Sequence, residues 1–158
     1  MNDIILRGMH KNDLPFFFEI QKDRDANHMA AFTTKDPNNW EHFTEHWNKI
    51  LDDNSIMKRT ITIKNDVVGN IMCFKQFGEW EVTYWIDRNH WGKGIATHAL
   101  KEFLKTVSIR PLYGRTVKDN IGSRKVLEKC GFKITGEDKG FANARGEEVE
   151  EFIFTLTD

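Results

Sequence analysis

The chain has 158 residues, of which 39% are hydrophobic and 30% charged, with three prolines and eleven glycines. That length suits one domain with its own core, and the composition excludes a collagen-like, mucin-like or disordered chain. The net charge of -1 hides a split, because residues 88–133 hold eleven Lys/Arg against three Asp/Glu, a local +8, and the remainder stands at -9.

Taken in chain order, Ile4 to Arg7 reads as a short strand, and Lys11 to Asp23 as a helix capped by Asn12 or Asp13, with Pro15 in its first turn. Ala26 to Asn39 shows no period and reads as a long loop. Trp40, Phe43, Trp47, Ile50 and Leu51 share one arc of a helical wheel, predicting an amphipathic helix from Asn38 to Leu51. Strands follow at Lys58 to Ile63, Val67 to Phe74 and Glu79 to Ile86, the first two joined by a turn at Lys64-Asn65-Asp66. Ala96, Leu100, Phe103, Leu104 and Val107 mark a helix that opens near Gly92-Lys93-Gly94. After Pro111 comes a strand, Leu112 to Val117. Asn120 is a good cap for a helix ending at Cys130, with Gly131 in the left-handed position behind it. Phe132 to Thr135 and Glu150 to Leu156 close the chain as a strand pair around a polar loop at Gly140 to Gly146. The sum is a mixed sheet with helices on both faces.

No apolar run is long enough to span a bilayer, and the N-terminus lacks the pattern of a signal peptide, so a cytoplasmic location is expected. Cys73 and Cys130 are lone thiols rather than a disulfide framework or metal pair. The basic middle suits an anionic ligand, whereas a nucleic-acid binder is usually basic overall.

The most informative stretch runs from Tyr84 through Trp91-Gly92-Lys93-Gly94 to Thr97, where a strand enters a glycine turn and the turn opens a helix. The first N–H groups of a helix have no partner within it and can donate to a phosphate. Two nucleotide motifs fail here. Lys93 is followed by Gly94 where a Walker A loop needs Ser or Thr, and GxGxxG starting at Gly92 would end on Thr97.

In these residues the chain resembles the GNAT acyl-CoA-dependent N-acyltransferases. The family loop, (Gln/Arg)-x-x-Gly-x-(Gly/Ala), aligns with Trp91-Gly92-Lys93-Gly94-Ile95-Ala96, and Trp91 departs from the usual Gln or Arg. A second family segment stands at Asn120-Ile121-Gly122-Ser123 and runs on through Val126-Leu127-Glu128-Lys129-Cys130-Gly131-Phe132. The resemblance spans roughly residues 58 to 156, nearest to the branch similar to ribosomal-protein N-acetyltransferases. It implies a single α/β (α+β) domain over residues 1–158, with an acceptor-side part to about residue 56 and a CoA-binding part from about 57. Acetyl-CoA would be the acyl donor, with no metal. Its pantetheine would pair with backbone near Trp85 and Ile86, and its pyrophosphate would rest on the amides of Gly92 to Thr97, near Lys93. Trp91, Ala96, Thr97, Asn120 and Ser123 complete the expected cofactor set.

Transfer needs a neutral amine. An amine with pKa near 10.4 is neutral about once in 2,500 molecules at pH 7, and one near 7.8 roughly once in seven. A general base therefore helps. Glu81 matches a Glu often found in this branch, and Glu79 shares its strand parity. Many relatives carry a Tyr proton donor where this chain has Leu127. Ser123 or a water takes that role in this reading, since Tyr84 and Tyr113 lie within strands. His42-Phe43-Thr44-Glu45-His46 spells HxxEH, but with His42 opposite the apolar face of its helix the two imidazoles read as surface groups. The expected activity is N-acetyl transfer to a primary amine of a small molecule or peptide by direct attack, with no nucleic acid or membrane partner and a homodimer left open. A non-catalytic acyl-CoA-binding sensor or interaction module is the alternative.

Overall fold

A computed structural model describes residues 3–30 and 34–158. Its strands are β1 (Ile4–Gly8), β2 (Met57–Ile63), β3 (Asp66–Gln76), β4 (Glu79–Ile86), β5 (Leu112–Val117), β6 (Lys133–Ala142) and β7 (Glu147–Leu156). They form one sheet ordered β1-β2-β3-β4-β5-β7-β6. The helices are α1 (Leu14–Gln21), α2 (Arg24–Ala30), α3 (Trp40–Asp52), α4 (Ile95–Leu104) and α5 (Ile121–Lys129). All neighbouring strands run antiparallel except β4 and β5, which are parallel and share the single residue pair Glu81–Tyr113. Beyond that pair the two strands part, and the sheet opens into a cleft.

Strand alternation divides the side chains between two layers. Val82 and Ile86 of β4 join Ile71, Leu112 and Phe154 beneath Leu100 and Phe103 of α4 and Leu127 of α5 in the main core. On the other face, Leu14 and Phe17 of α1 pack with Phe43 and Trp47 of α3. The Phe17 and Trp47 rings lie 5.1 Å apart, as do those of Phe18 and Phe43. The aromatic stripe predicted on α3 therefore packs a second core, although Trp40 at its start remains 42% exposed.

Three local expectations change. The helix predicted from Lys11 to Asp23 is a 3-10 turn at Lys11–Asp13 followed by α1, and Asp13 makes no side-chain cap. Its carboxylate instead accepts from Arg7 Nη1 and Nη2 (2.9 and 2.8 Å), Thr60 Oγ1 (2.7 Å) and the His10 N–H (2.9 Å). Burial resists that charge, but these donors prevail and hold the Asp13 carboxyl below its ordinary value. The stretch read as a loop from Ala26 holds most of α2, which starts at Arg24 and whose seven residues are too few to show a period; residues 31–33 of that stretch lie outside the described residues. The closing strands β6 and β7 are also longer than predicted, extending to Ala142 and back from Glu147, because they pair along this length while most of the added polar side chains stay exposed.

Gly69 of β3 keeps β4 in place. A Cβ there would meet the Trp85 carbonyl oxygen at 2.1 Å. Gly69→Ala must push the strands apart, and a loss of about 2 kcal/mol in unfolding free energy is expected from urea denaturation.

Candidate active site

The cleft between β4 and β5 opens into a cavity of about 880 Å³. It is lined by Thr83, Tyr84, Trp85 and Ile86 of β4, the start of α4, one side of α5, and Ala26, Met29 and Ala30 of α2. Asp87 N–H donates to the Val68 carbonyl of β3 at 2.8 Å. Backbone groups alternate along a strand, so the odd residues of β4 face β3 and the N–H and C=O of Tyr84 and Ile86 face the cleft. The cleft-facing backbone expected at Trp85 thus belongs to Tyr84, because parity turns the Trp85 backbone to β3. The Ile86 carbonyl is already used, accepting from Trp91 Nε1 at 2.9 Å. Trp91 therefore closes the strand-to-helix turn with its indole, a role that Gln or Arg would fill differently.

Gly92 and Gly94 both have positive φ, 75° and 76°, which the turn needs and which glycine adopts without steric cost. The left-handed Gly94 caps α4. The first backbone donor with an acceptor inside the helix is His98, bonded to Gly94 at 3.0 Å. Among the described residues the N–H groups of 92–97 have no acceptor. A Cβ on Gly92 would meet nothing within 4 Å. Unpaired donors, the positive end of a helix dipole and open space together make an anion cradle. Ala96 and Thr97 line it with the glycines, and Lys125 and Lys129 of α5 line the same cavity. Lys93 is exposed and does not.

Much of the basic middle is spent elsewhere. Arg88 pairs with Asp23 at 2.9 Å and also with Asp25. Lys105 pairs with Glu102, and Lys118 with Glu137 and Glu150. The Arg88 pairs hold one end of α2. At its other end, Arg145 Nε donates to the His28 carbonyl at 2.8 Å, and Asn120 Nδ2 to the Met29 carbonyl at 3.2 Å. Asn120 Oδ1 accepts from the Ser123 N–H at 3.2 Å. Asn120 thus caps α5 and straps α2 across the cavity, so both ends of its amide are engaged inside the protein.

Glu81 lines the cavity where the strands part and is 8% exposed. Its Oε1 accepts from Arg115 Nε at 2.6 Å. Arg115 Nη1 also donates to Glu151 at 2.9 Å and Asp138 at 3.1 Å. Burial disfavours the Arg115 charge, but its bonds to Glu151 and Glu81 outweigh this and hold it above its ordinary pKa. Burial raises the Glu151 carboxyl, with Arg115 opposing. Glu79, the other candidate base, is exposed and lines no part of the cavity. Arg115, Glu151 and Asp138 escaped the sequence reading because they meet Glu81 only through strand pairing across β5, β7 and β6.

Leu127, at the position of the family Tyr, is buried against Gly114 in the main core. Tyr84, although a strand residue, leaves β4 on the face that carries α5, as Val82 and Ile86 do. Its hydroxyl lies 2.9 Å from Ser123 Oγ, and both residues line the cavity. Burial, against the Ser123 bond, pushes the Tyr84 phenol up to about 12, so it stays protonated. Cys73 is fully buried with its thiol pushed up to about 11, and burial also raises Cys130. Neither cysteine lines the cavity.

His42 and His46 line a smaller cavity of about 220 Å³ beside α3. Burial, then the neighbouring His42 and Lys49, lowers His46. Among the described residues no three His, Cys, Asp or Glu side chains are grouped to hold a metal. None of the described helices is long and apolar enough to cross a membrane.

Known proteins share this fold. A curated relative, an uncharacterized N-acetyltransferase p20 of Bacillus licheniformis, is 25% identical over 99 residues. The match takes in 58% of this chain and 56% of that protein, so it reaches little more than half the relative's length. The microcin C7 self-immunity acetyltransferase MccE, solved with acetyl-CoA and AMP, superposes with a TM-score of 0.81 at 17% identity, covering 100% of this chain and 94% of its own. The spermidine N-acetyltransferase of Vibrio cholerae, solved with CoA and spermine, gives 0.80 at 20% identity, covering 98% and 96%. At these identities the structures speak to the fold. Residues 3–133 match the family model of the acetyltransferase (GNAT) domain, and the chain belongs to that family.

Proposed function

We propose that this chain transfers an acetyl group from acetyl-CoA to a primary amine by direct attack. The observation that carries the reading is that one cavity joins the unpaired N–H groups of Gly92 and residues 94–97, the free edge of β4 and the carboxylate of Glu81. The amides of Gly92, Gly94, Ala96 and Thr97 would hold the pyrophosphate, with Lys125 and Lys129 adding charge. Tyr84 through its backbone N–H and C=O, and Ile86 through its N–H, would pair with the pantetheine amides, and Trp91 fixes the turn. Acetyl-CoA would bring a thioester carbon open to a nucleophile. Glu81 Oε2, which no described residue occupies, takes a proton from the acceptor's ammonium, directly or through a water, and so frees the lone pair that attacks. A cleft-facing N–H of β4 donates to the carbonyl oxygen as negative charge develops there. After the C–N bond forms, the nitrogen loses its surplus proton; as the C–S bond breaks, the Ser123 hydroxyl, backed by Tyr84, gives a proton to the departing sulfur and recovers one from the nitrogen through solvent. Two thiols held protonated and away from the cavity favour direct transfer over an acyl-cysteine route.

The test is a melting experiment with acetyl-CoA beside a thiol-release assay over a panel of amines. Acetyl-CoA is expected to raise the melting temperature and thiol to appear with at least one amine. Stabilisation with no thiol from any amine would instead favour a binding module. Gly92→Val places a β-branched residue at positive φ and a side chain in the open cradle, so acetyl-CoA affinity should fall about 100-fold by calorimetry.

A further inference from the structure

Resting on the reading just given, we infer that the acceptor is a di- or polycation, an amine with at least one further positive charge beyond the nitrogen that reacts. The acceptor end of the cavity carries three carboxylates, Glu81, Glu151 and Asp138, around one guanidinium, Arg115. Two formal negative charges are left over. Glu81 and Glu151 are each 8% exposed, and each has one oxygen engaged by Arg115 and another left free among the described residues. Neither is an isolated buried carboxylate, yet each retains acceptor capacity towards the cavity they both line. Lys139, in the same wall, turns to Glu148 at 3.6 Å and does not offset them. Phe77 adds an aromatic face at the rim. It already stacks on Arg115 at 5.7 Å while remaining 79% exposed, and such a face also attracts an ammonium.

Strand parity separates this end from the cradle. Glu81 and Arg115 face the α1–α3 side of the sheet, whereas α5, with Lys125 and Lys129, packs on the opposite face. The cavity is therefore cationic where phosphates would lie and anionic where an acceptor would enter. An amino acid offering its carboxylate would find Arg115 Nε and Nη1 occupied by carboxylates and a net negative wall around them. A second cation meets free carboxylate oxygens. Charge thus decides the class.

A matched series tests this: butane-1,4-diamine, butylamine and 4-aminobutanoate share one chain and differ in the charge of the far end. With acetyl-CoA saturating, the diamine is expected to show a KM at least tenfold below that of butylamine, with 4-aminobutanoate poorest. The diamine advantage should shrink as salt rises. Asp138→Asn, at a half-exposed position that tolerates the change, should narrow the diamine-to-butylamine ratio several-fold, and Glu151→Gln should narrow it further. Independently of turnover, the diamine should stabilise the CoA-bound protein against heat more than butylamine does. Equal stabilisation by the two, or a preference for 4-aminobutanoate, overturns the inference while leaving acetyl transfer intact. Failure of acetyl-CoA itself to bind would instead remove the reading beneath it.

Discussion

Glu81→Gln is expected to lower kcat by about 10²- to 10³-fold while leaving acetyl-CoA affinity within a factor of about two. The amide keeps the shape of the carboxylate and can still accept from Arg115 Nε, so the fold and the cradle at α4 are undisturbed. What disappears is a proton acceptor at the point where β4 and β5 part. The variant then depends on amine that arrives already neutral. Its deficit should therefore shrink as pH rises towards the pKa of the amine, and be smaller for an amine near 7.8 than for one near 10.4. Parallel pH–rate profiles of the two proteins, with one amine of each kind, make the check. A deficit independent of pH would mean that Glu81 only shapes the site. Glu79→Gln, at an exposed position outside the cavity, serves as the control.

The second large effect concerns Arg115, where the cost appears in stability. Arg115→Met leaves Glu81 and Glu151 in the wall with no cation between them, and breaking such an arrangement from one side costs about 3 kcal/mol. The loss depends on pH. Burial already raises the Glu151 carboxyl, and Arg115 is what restrains it. Without Arg115 the folded-state pKa of Glu151 rises further above its unfolded value. The stability associated with the protonated form is then present at low pH and lost as pH rises through the folded pKa. The variant should consequently be most impaired above neutrality and partly recovered near pH 5. Urea midpoints at pH 5 and 7.5 measure this, and adding Glu151→Gln to Arg115→Met should restore much of the stability at the higher pH. Equal losses at both pH values would show that the guanidinium matters for packing alone.

Both effects depend on a row of charges crossing four strands, and here sequence and structure part company. The alternation in Glu79 to Ile86 and the glycine turn before α4 were visible as patterns because strand and helix-start signals are local. The cap at Asn120 and the turn at Gly131 were visible for the same reason, since each is settled within a few residues. The mixed sheet followed from the order of the elements. α2 was missed because a seven-residue helix held down by Arg88, Arg145 and Asn120 is stabilised by distant partners rather than by its own period. Asn120 and Trp91, expected on the cofactor, both line the cavity, and what their sequence did not show is that their polar atoms are engaged by Met29, Ser123 and Ile86.

By itself, the sequence determined the class of fold, the glycine turn that opens α4 and the strand that carries Glu81, because those rest on backbone conformation and spacing along the chain. Only the tertiary structure decided which charges meet Glu81, that Tyr84 rather than position 127 stands beside Ser123, and that three carboxylates surround Arg115 in the cavity wall. Those facts depend on strand pairing and on which face of the sheet each side chain leaves, and a one-residue change of register would have sent every one of them to the other side.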